Sequence, residues 1–587
     1  MKFKGLEELF LADGSILYTR IRGIKNVWDA SRFLVGMSLD MACKNYGTNP
    51  KKMPDLINHY EVQCYYEYNG WKGLTDLLSS KEELVLYNKI DCICLASLIG
   101  KMRDAYLDLF DEDVFKNLTI SSMGYKICCD SWSGKKAFTK QLIEDLGVDN
   151  LNELPKEEKQ LVVDKIKFYK DKYNISKAKN YKDDLFHRGS MFAGRTQSFF
   201  GKIDIQMPLA MCDVKSLYPT CMGNYGDNNC PMPYGKYFET NKYMKNKLGI
   251  YRCKIIHQRC EWKNKKEVIE AFNKVEQMTN GKNVLHKNYA PNVIPLRSED
   301  KPLDWFYRGE LNVVLTSVDI EVLRWATEDE GCVEVYEGHY WKDSKTELFV
   351  DFLNPAKEEK TNQDKLKASG SPLYNQAKRE GCKMISNSLS GKLLEAIHED
   401  VVDLFSITKY RELEQDEAVS SLQIQDFGCG FSIINGKKSK EAVFNDPKRS
   451  DSKKKPAYLG MFVYAYAREL MYKKLLSRYL CLYMDTDSAC MPYFEWERCI
   501  KENKDVGLIE TGEYGCLEEE VCYTDKTGVV YPANRLIGIS PKNYLVVNEV
   551  NEGFSKRKFK GVRKTDVWLP LSYFGDYMIK RRRKVKQ

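Results

Sequence analysis

Two aspartates, Asp485 and Asp487, lie one residue apart between two apolar runs, Cys481–Met484 before them and Ala489–Phe494 after. That pattern predicts two strands joined by a tight turn that carries the acids. In an extended segment, side chains two residues apart point to one face, so both carboxylates would project together. Aspartate is also common in turns for backbone reasons alone, so the pattern by itself has two readings. Two further motifs add chemistry to it.

Asp213 ends a second apolar stretch, and Pro219 limits how the chain continues after Asp213-Val214-Lys215-Ser216-Leu217-Tyr218. A carboxylate here, beside the Asp485/Asp487 turn, would hold two divalent cations. Such a pair lowers the pKa of an attacking hydroxyl and neutralises a phosphoryl-transfer transition state. An all-oxygen donor set fits Mg2+, with Mn2+ as a substitute. The third motif lies on a helix predicted over 372–398, where Arg379, Lys383 and Asn387 recur every fourth residue and share a face. Two cations one turn apart can grip a triphosphate; a solvated basic face is the plainer reading. Ser390-Gly391 would let a base approach the helix backbone closely.

The rest of the chain narrows the class. At 587 residues it has room for about four modules, and a hydrophobic content of 43% excludes general disorder. Lys and Arg number 91 against 83 Asp and Glu, a balance of +8 that permits a polyanionic partner but excludes a wholly basic wrapper. The 19 cysteines form no CxxC pair and the 6 histidines have no zinc-finger spacing, which fits reduced thiols in an intracellular compartment. No apolar run is long enough to span a bilayer, so no membrane partner is expected. The basic end, Lys580–Gln587, suits a nuclear-import signal, a phosphate-contacting tail or a solvated terminus, and leaves nucleus, cytoplasm and organelle open.

Asp213–Pro219 resembles motif A (DxxSLYP) of family B DNA polymerases, Lys383–Gly391 resembles their motif B (KxxxNSxYG), and Tyr483–Ser488 resembles motif C (YxDTDS). The order is the family's, and the match is best to the protein-primed branch of phages, viruses and linear plasmids. Phe192–Arg195 resembles the glycine-containing motif between exonuclease and polymerase domains. Leu459–Leu470, with Arg468, resembles the helix before motif C, Pro541–Tyr544 the KxY motif, and Lys558–Val562 the entry to the thumb.

The resemblance implies an α+β right hand of palm, fingers and thumb, with an incomplete ribonuclease H-like 3'-5' exonuclease domain. Its expected parts are that domain at 1–115, a charged linker region with the template-contact motif at 116–200, palm with a first insertion at 201–354, fingers at 355–398, a second insertion at 399–457, palm again at 458–537, and a reduced thumb with basic tail at 538–587. The implied reaction joins a deoxynucleoside triphosphate to a primer 3'-hydroxyl, with strand displacement. The partners are a DNA template-primer, dNTPs and a terminal priming protein. Asp213 and Asp487 would bind metal, with Asp485 completing the catalytic set. Leu217, Tyr218, Arg379, Lys383 and Asn387 would bind nucleotide, Tyr218 excluding a 2'-hydroxyl. Gly194, Arg195, Lys542, Tyr544, Lys558 and Lys560 would contact DNA.

Departures from the pattern carry their own expectations. Ser390 stands where motif B has tyrosine, which implies altered nucleotide discrimination. Tyr87–Asp91 resembles the third exonuclease motif and Asn26–Ala42 a mid-domain segment, yet no DxE precedes them, so proofreading is expected to be absent. The thumb segment is also short, which suggests a fragment or a second chain that supplies missing parts. Two rivals remain: an impaired polymerase-like DNA-binding scaffold, and a reverse transcriptase, against which SLYP and motif B weigh.

Overall fold

The computed structural model describes residues 6–12, 15–21, 24–28, 33, 39–46, 81–117, 119–148, 151–199, 203–226, 228–278, 288–294, 296–298, 301–304, 309–397, 399–426, 432–446, 454–503 and 512–559. The chain divides into two compact units, 1–172 with 351–455 and 173–350 with 456–587.

The second unit is built on an eight-stranded antiparallel sheet: β1 (Thr196–Ser198), β2 (Ile203–Val214), β3 (Tyr483–Asp485), β4 (Ser488–Pro492), β5 (Leu517–Glu519), β6 (Ala533–Ser540), β7 (Asn543–Val547) and β8 (Lys556–Phe559). The order is β8-β7-β6-β2-β4-β3-β1, and β5 also pairs with β2. Along β2 an alternating pattern gives way to a continuous buried run, Leu209–Cys212, as suits a strand with neighbours on both edges and cover on both faces. The helix Tyr493–Asn503 packs on it. Register places Asp213 opposite both Ser488 and Glu518. The expected thumb boundary at 538 falls inside β6. The last described segment supplies three strands of this sheet, with Leu536, Ile537, Leu545 and Val546 buried in it.

A four-stranded antiparallel sheet lies within residues 232–345, in the order Leu311–Thr316, Gly249–Ile255, Val333–Lys345, Met232–Thr240. One face carries Trp341, stacked on Tyr458 at 4.5 Å, and His339, whose Nδ1 is 2.9 Å from Nε2 of His187. The helix Ser317–Thr327 opens with a Thr316/Asp319 capping box and is tied to the helix Ala457–Met471 by the buried Arg468–Asp319 ion pair.

The first unit is mainly helical, with three-stranded sheets at 6–28 and 400–438. The described residues of the expected linker region, 116–200, include several helices. Lys156–Lys167 is a surface helix, with only Val162 buried. Ile120–Ser133 instead buries Ile120, Met123, Cys128 and Trp132 and packs against Gln376–Leu393. Gln376–Leu393 is the basic helix expected over 372–398. It starts later because the Asn375 side chain caps it, accepting from Lys378 N at 3.0 Å. Among the described residues no helix is long and apolar enough to cross a membrane.

Candidate functional site

Strands β3 and β4 form the expected hairpin, and Thr486-Asp487 is its turn. The turn is held from two sides. Val214 N donates to Asp487 O at 2.8 Å, and Thr486 N donates to Arg195 O at 2.6 Å. Asp213 and Asp487 are therefore brought together, and their electrostatics report it. Burial, then the Asp487 charge and Glu520, push Asp213 up to about 8. Asp487 is also raised, chiefly by burial, with Asp485 and Glu520 adding and Lys556 opposing. Carboxylates crowded this way favour a bound proton or a cation.

Asp485 does not join that pair on one face. Thr486 has φ 69°, which turns the chain out of the extended geometry that would align the two acids. Asp485 is buried and bonded elsewhere: its Oδ1 accepts from Lys542 Nζ, and its Oδ2 accepts from the Tyr544 hydroxyl at 3.2 Å. Of seven non-glycine residues with positive φ among those described, Ser216, Thr486 and Lys542 flank the three carboxylates. Each such conformation costs about 1–3 kcal/mol and persists where surrounding structure imposes it.

Leu217 is buried, and Tyr218 lies 5.0 Å ring to ring from Tyr464. Gly194 sits under both motifs. A Cβ there would be 2.5 Å from Thr486 Cγ2 and 3.0 Å from the Tyr218 hydroxyl, so only glycine fits without displacement. Two expected DNA contacts are interior residues. Arg195 is 4% exposed and donates to Asn292 O, and burial lowers its pKa to about 9. Tyr544 is fully buried against Tyr483. Lys542 is partly exposed but paired to Asp485. Lys558 is exposed. Lys560 and the Asp91 side chain lie outside the described residues.

Arg379, Lys383 and Asn387 belong to the first unit, and the carboxylates to the second. Arg379 is paired, its Nε 2.5 Å from Asp364 and its Nη1 2.7 Å from Glu380. Lys383 is exposed and Asn387 is half-buried. Ser390 is buried, its Oγ 3.3 Å from Asn387 O. Gly391 has open space beside it.

The sequence reading missed Glu518, Glu520 and their lysines. Lys215 Nζ pairs with Glu518 at 3.0 Å, and Lys556 Nζ pairs with Glu520. The available signal was Leu517-Glu518-Glu519-Glu520, where period-two spacing separates Glu518 and Glu520 from Glu519. Glu519 instead accepts from the backbone N–H of Met211, Val521 and Cys522.

Among the described residues no three metal-binding side chains form a closed set. Two carboxylates with open positions, made wholly of oxygen donors, fit a hard divalent cation that completes its shell from substrate and water.

The chain matches the family of type B DNA polymerases, organellar and viral, over residues 51–478. It is similar to uncharacterized protein 075R of Invertebrate iridescent virus 3, 27% identical over 134 residues, which is 23% of this chain and 77% of that protein. Among solved structures it is similar to the phi29 DNA polymerase complexed with primer-template DNA and incoming nucleotide substrates. That match has a TM-score of 0.57 and 17% identity, and covers 97% of this chain and 80% of that one. The orthorhombic crystal form of the phi29 enzyme gives 0.52 and 17%, covering 92% and 74%. The shared architecture is the α+β right-hand fold.

Proposed function

The chain belongs to the type B DNA polymerases, organellar and viral, and from that membership we propose that it extends a DNA primer from deoxynucleoside triphosphates under template direction. The observation that carries the reading is the Asp213–Asp487 pair, forced together at the hairpin turn, where burial raises both carboxyls and the Asp487 charge raises Asp213 further. In this reading the primer 3'-oxygen attacks the α-phosphorus, a new P–O bond forms, the bond to the β-phosphate bridge breaks, and pyrophosphate leaves.

Asp213 and Asp487 would hold Mg2+, which when bound supplies charge neutralisation and activation of the hydroxyl. The protein's own residues do the positioning. Tyr218, backed by Tyr464, bounds the sugar site and disfavours a 2'-hydroxyl. Lys383 offers an exposed ammonium to the phosphates. Arg379 joins it by exchanging Asp364 for substrate. Lys542 neutralises Asp485 and steadies the turn through Thr486 Oγ1 at 3.2 Å. Priming from a protein hydroxyl and strand displacement belong to this reading as further proposals.

Primer extension with Mg2+ and a single template-matched dNTP tests it. Addition of only the matched nucleotide, with release of pyrophosphate and loss on chelation, is the expected result. Addition without regard to template, or none by well-folded protein, would refute it.

A further inference from the structure

The Gln376–Leu393 helix has two faces with different work. Its buried stripe includes Ala377, Gly381, Cys382, Ile385 and Leu389, whereas Lys383 is exposed. Successive residues on a helix are about 100° apart, so Gly381 lies about 200° from both Arg379 and Lys383. The buried stripe is seated on Ile120–Ser133 and Leu39–Asn45, and Tyr106 of the helix Lys81–Phe110 reaches it at Gly381.

The fit depends on one glycine, Gly381. At Gly124, where Ile120–Ser133 faces the same helix, a Cβ would meet Ile385 Cγ2 at 3.4 Å and Phe352 at 3.7 Å, an ordinary packing contact. A Cβ on Gly381 would stand 2.2 Å from the Tyr106 hydroxyl and 3.2 Å from its Cζ. Tyr106 cannot swing aside cheaply. It is 3% exposed, its ring stacks on Phe110 at 6.1 Å, and its hydroxyl interacts with that of Tyr46.

We propose that the N-terminal helices are the seat that sets the position of the triphosphate-binding helix, with Tyr106 and Gly381 as positioning residues for nucleotide binding. The proposal rests on the reading that Arg379 and Lys383 bind the triphosphate. A displacement of about 1 Å at such a seat is enough to misplace a binding group and cost up to about a hundredfold.

The test is steady-state primer extension by the full chain, with dNTP KM, kcat and primer-template Kd measured separately. Lys383→Ala is the reference. Gly381→Ala is expected to raise dNTP KM about tenfold, with primer-template Kd unchanged. Adding Tyr106→Phe removes the hydroxyl in the way and is expected to restore most of the affinity. Tyr106→Leu, which adds no bulk, is a second variant expected to raise KM by loosening the seat. A raised KM for Lys383→Ala together with unchanged KM for Gly381→Ala and Tyr106→Leu would overturn this proposal alone. An unchanged KM for Lys383→Ala would overturn the reading beneath it, and the proposal with it.

Discussion

Replacing Asp319 with alanine tests how the second unit is held together. Asp319 is 1% exposed and Arg468 7%. Arg468 Nη2 donates to both Asp319 oxygens at 2.7 and 2.9 Å, its Nε donates at 3.1 Å, and its Nη1 donates to Phe192 O. One guanidinium thus joins two helices to the segment that carries Gly194. Removing the carboxylate strands a buried cation, at a cost of about 3–5 kcal/mol. It also breaks the capping box, in which Thr316 N donates to Asp319 Oδ2 at 3.4 Å, and the bond that Thr316 Oγ1 donates to the same oxygen at 2.8 Å, for about 1 kcal/mol more. The expected loss is about 4–6 kcal/mol, a large part of the 5–15 kcal/mol typical of a domain. Urea unfolding followed by tryptophan fluorescence measures it. The paired change Asp319→Leu with Arg468→Met removes both charges and should recover all but about 2 kcal/mol. A single-variant loss under about 1.5 kcal/mol, or a double variant no better than the single, would refute the reasoning.

Three further outcomes follow from the geometry. Gly194→Ala should overpack the turn by about 1–3 kcal/mol and slow single-turnover nucleotide addition by about tenfold to a hundredfold, and Thr486→Ser, which removes the nearest methyl, should recover part of it. Lys542→Met should leave Asp485 with the Tyr544 hydroxyl alone and, discounted for the lysine's partial exposure, lower thermal stability by about 1–2 kcal/mol while slowing extension. His187, buried against His339, has a pKa lowered to about 3 by burial, then by His339 and Arg188, so the unfolded chain takes up the proton first. Its contribution is full above about pH 6.5 and is lost as pH falls toward 3, about 2 kcal/mol by pH 5, and His187→Gln should flatten that part of the stability profile.

Local pattern made the motif hairpin, strand β2 and the basic helix legible, because each is set by hydrophobic period and a few turn or cap residues. The pairing of Asp213 with Asp487 followed from two motifs whose chemistry needs them adjacent. What pattern could not give is which way a polar side chain faces. Arg195 and Tyr544 read as DNA contacts, yet both are interior, since their partners Asn292 and Asp485 lie 97 and 59 residues away. The left-handed Thr486 was equally hidden, because backbone strain is imposed by neighbours rather than by the residue itself. Ile120–Ser133 was obscured by the charged residues around it, although its own buried stripe has helical spacing.

In the proposed function, Asp213 and Asp487 form one catalytic centre for nucleotide addition. Single-turnover extension of a primer-template by wild type, Asp213→Asn and Asp487→Asn in Mg2+ tests it most directly. Template-matched addition by wild type, a loss of at least about a thousandfold in each variant, and unchanged primer-template affinity are expected. Variant rates within tenfold of wild type, or a wild type that binds primer-template and adds nothing, would contradict it.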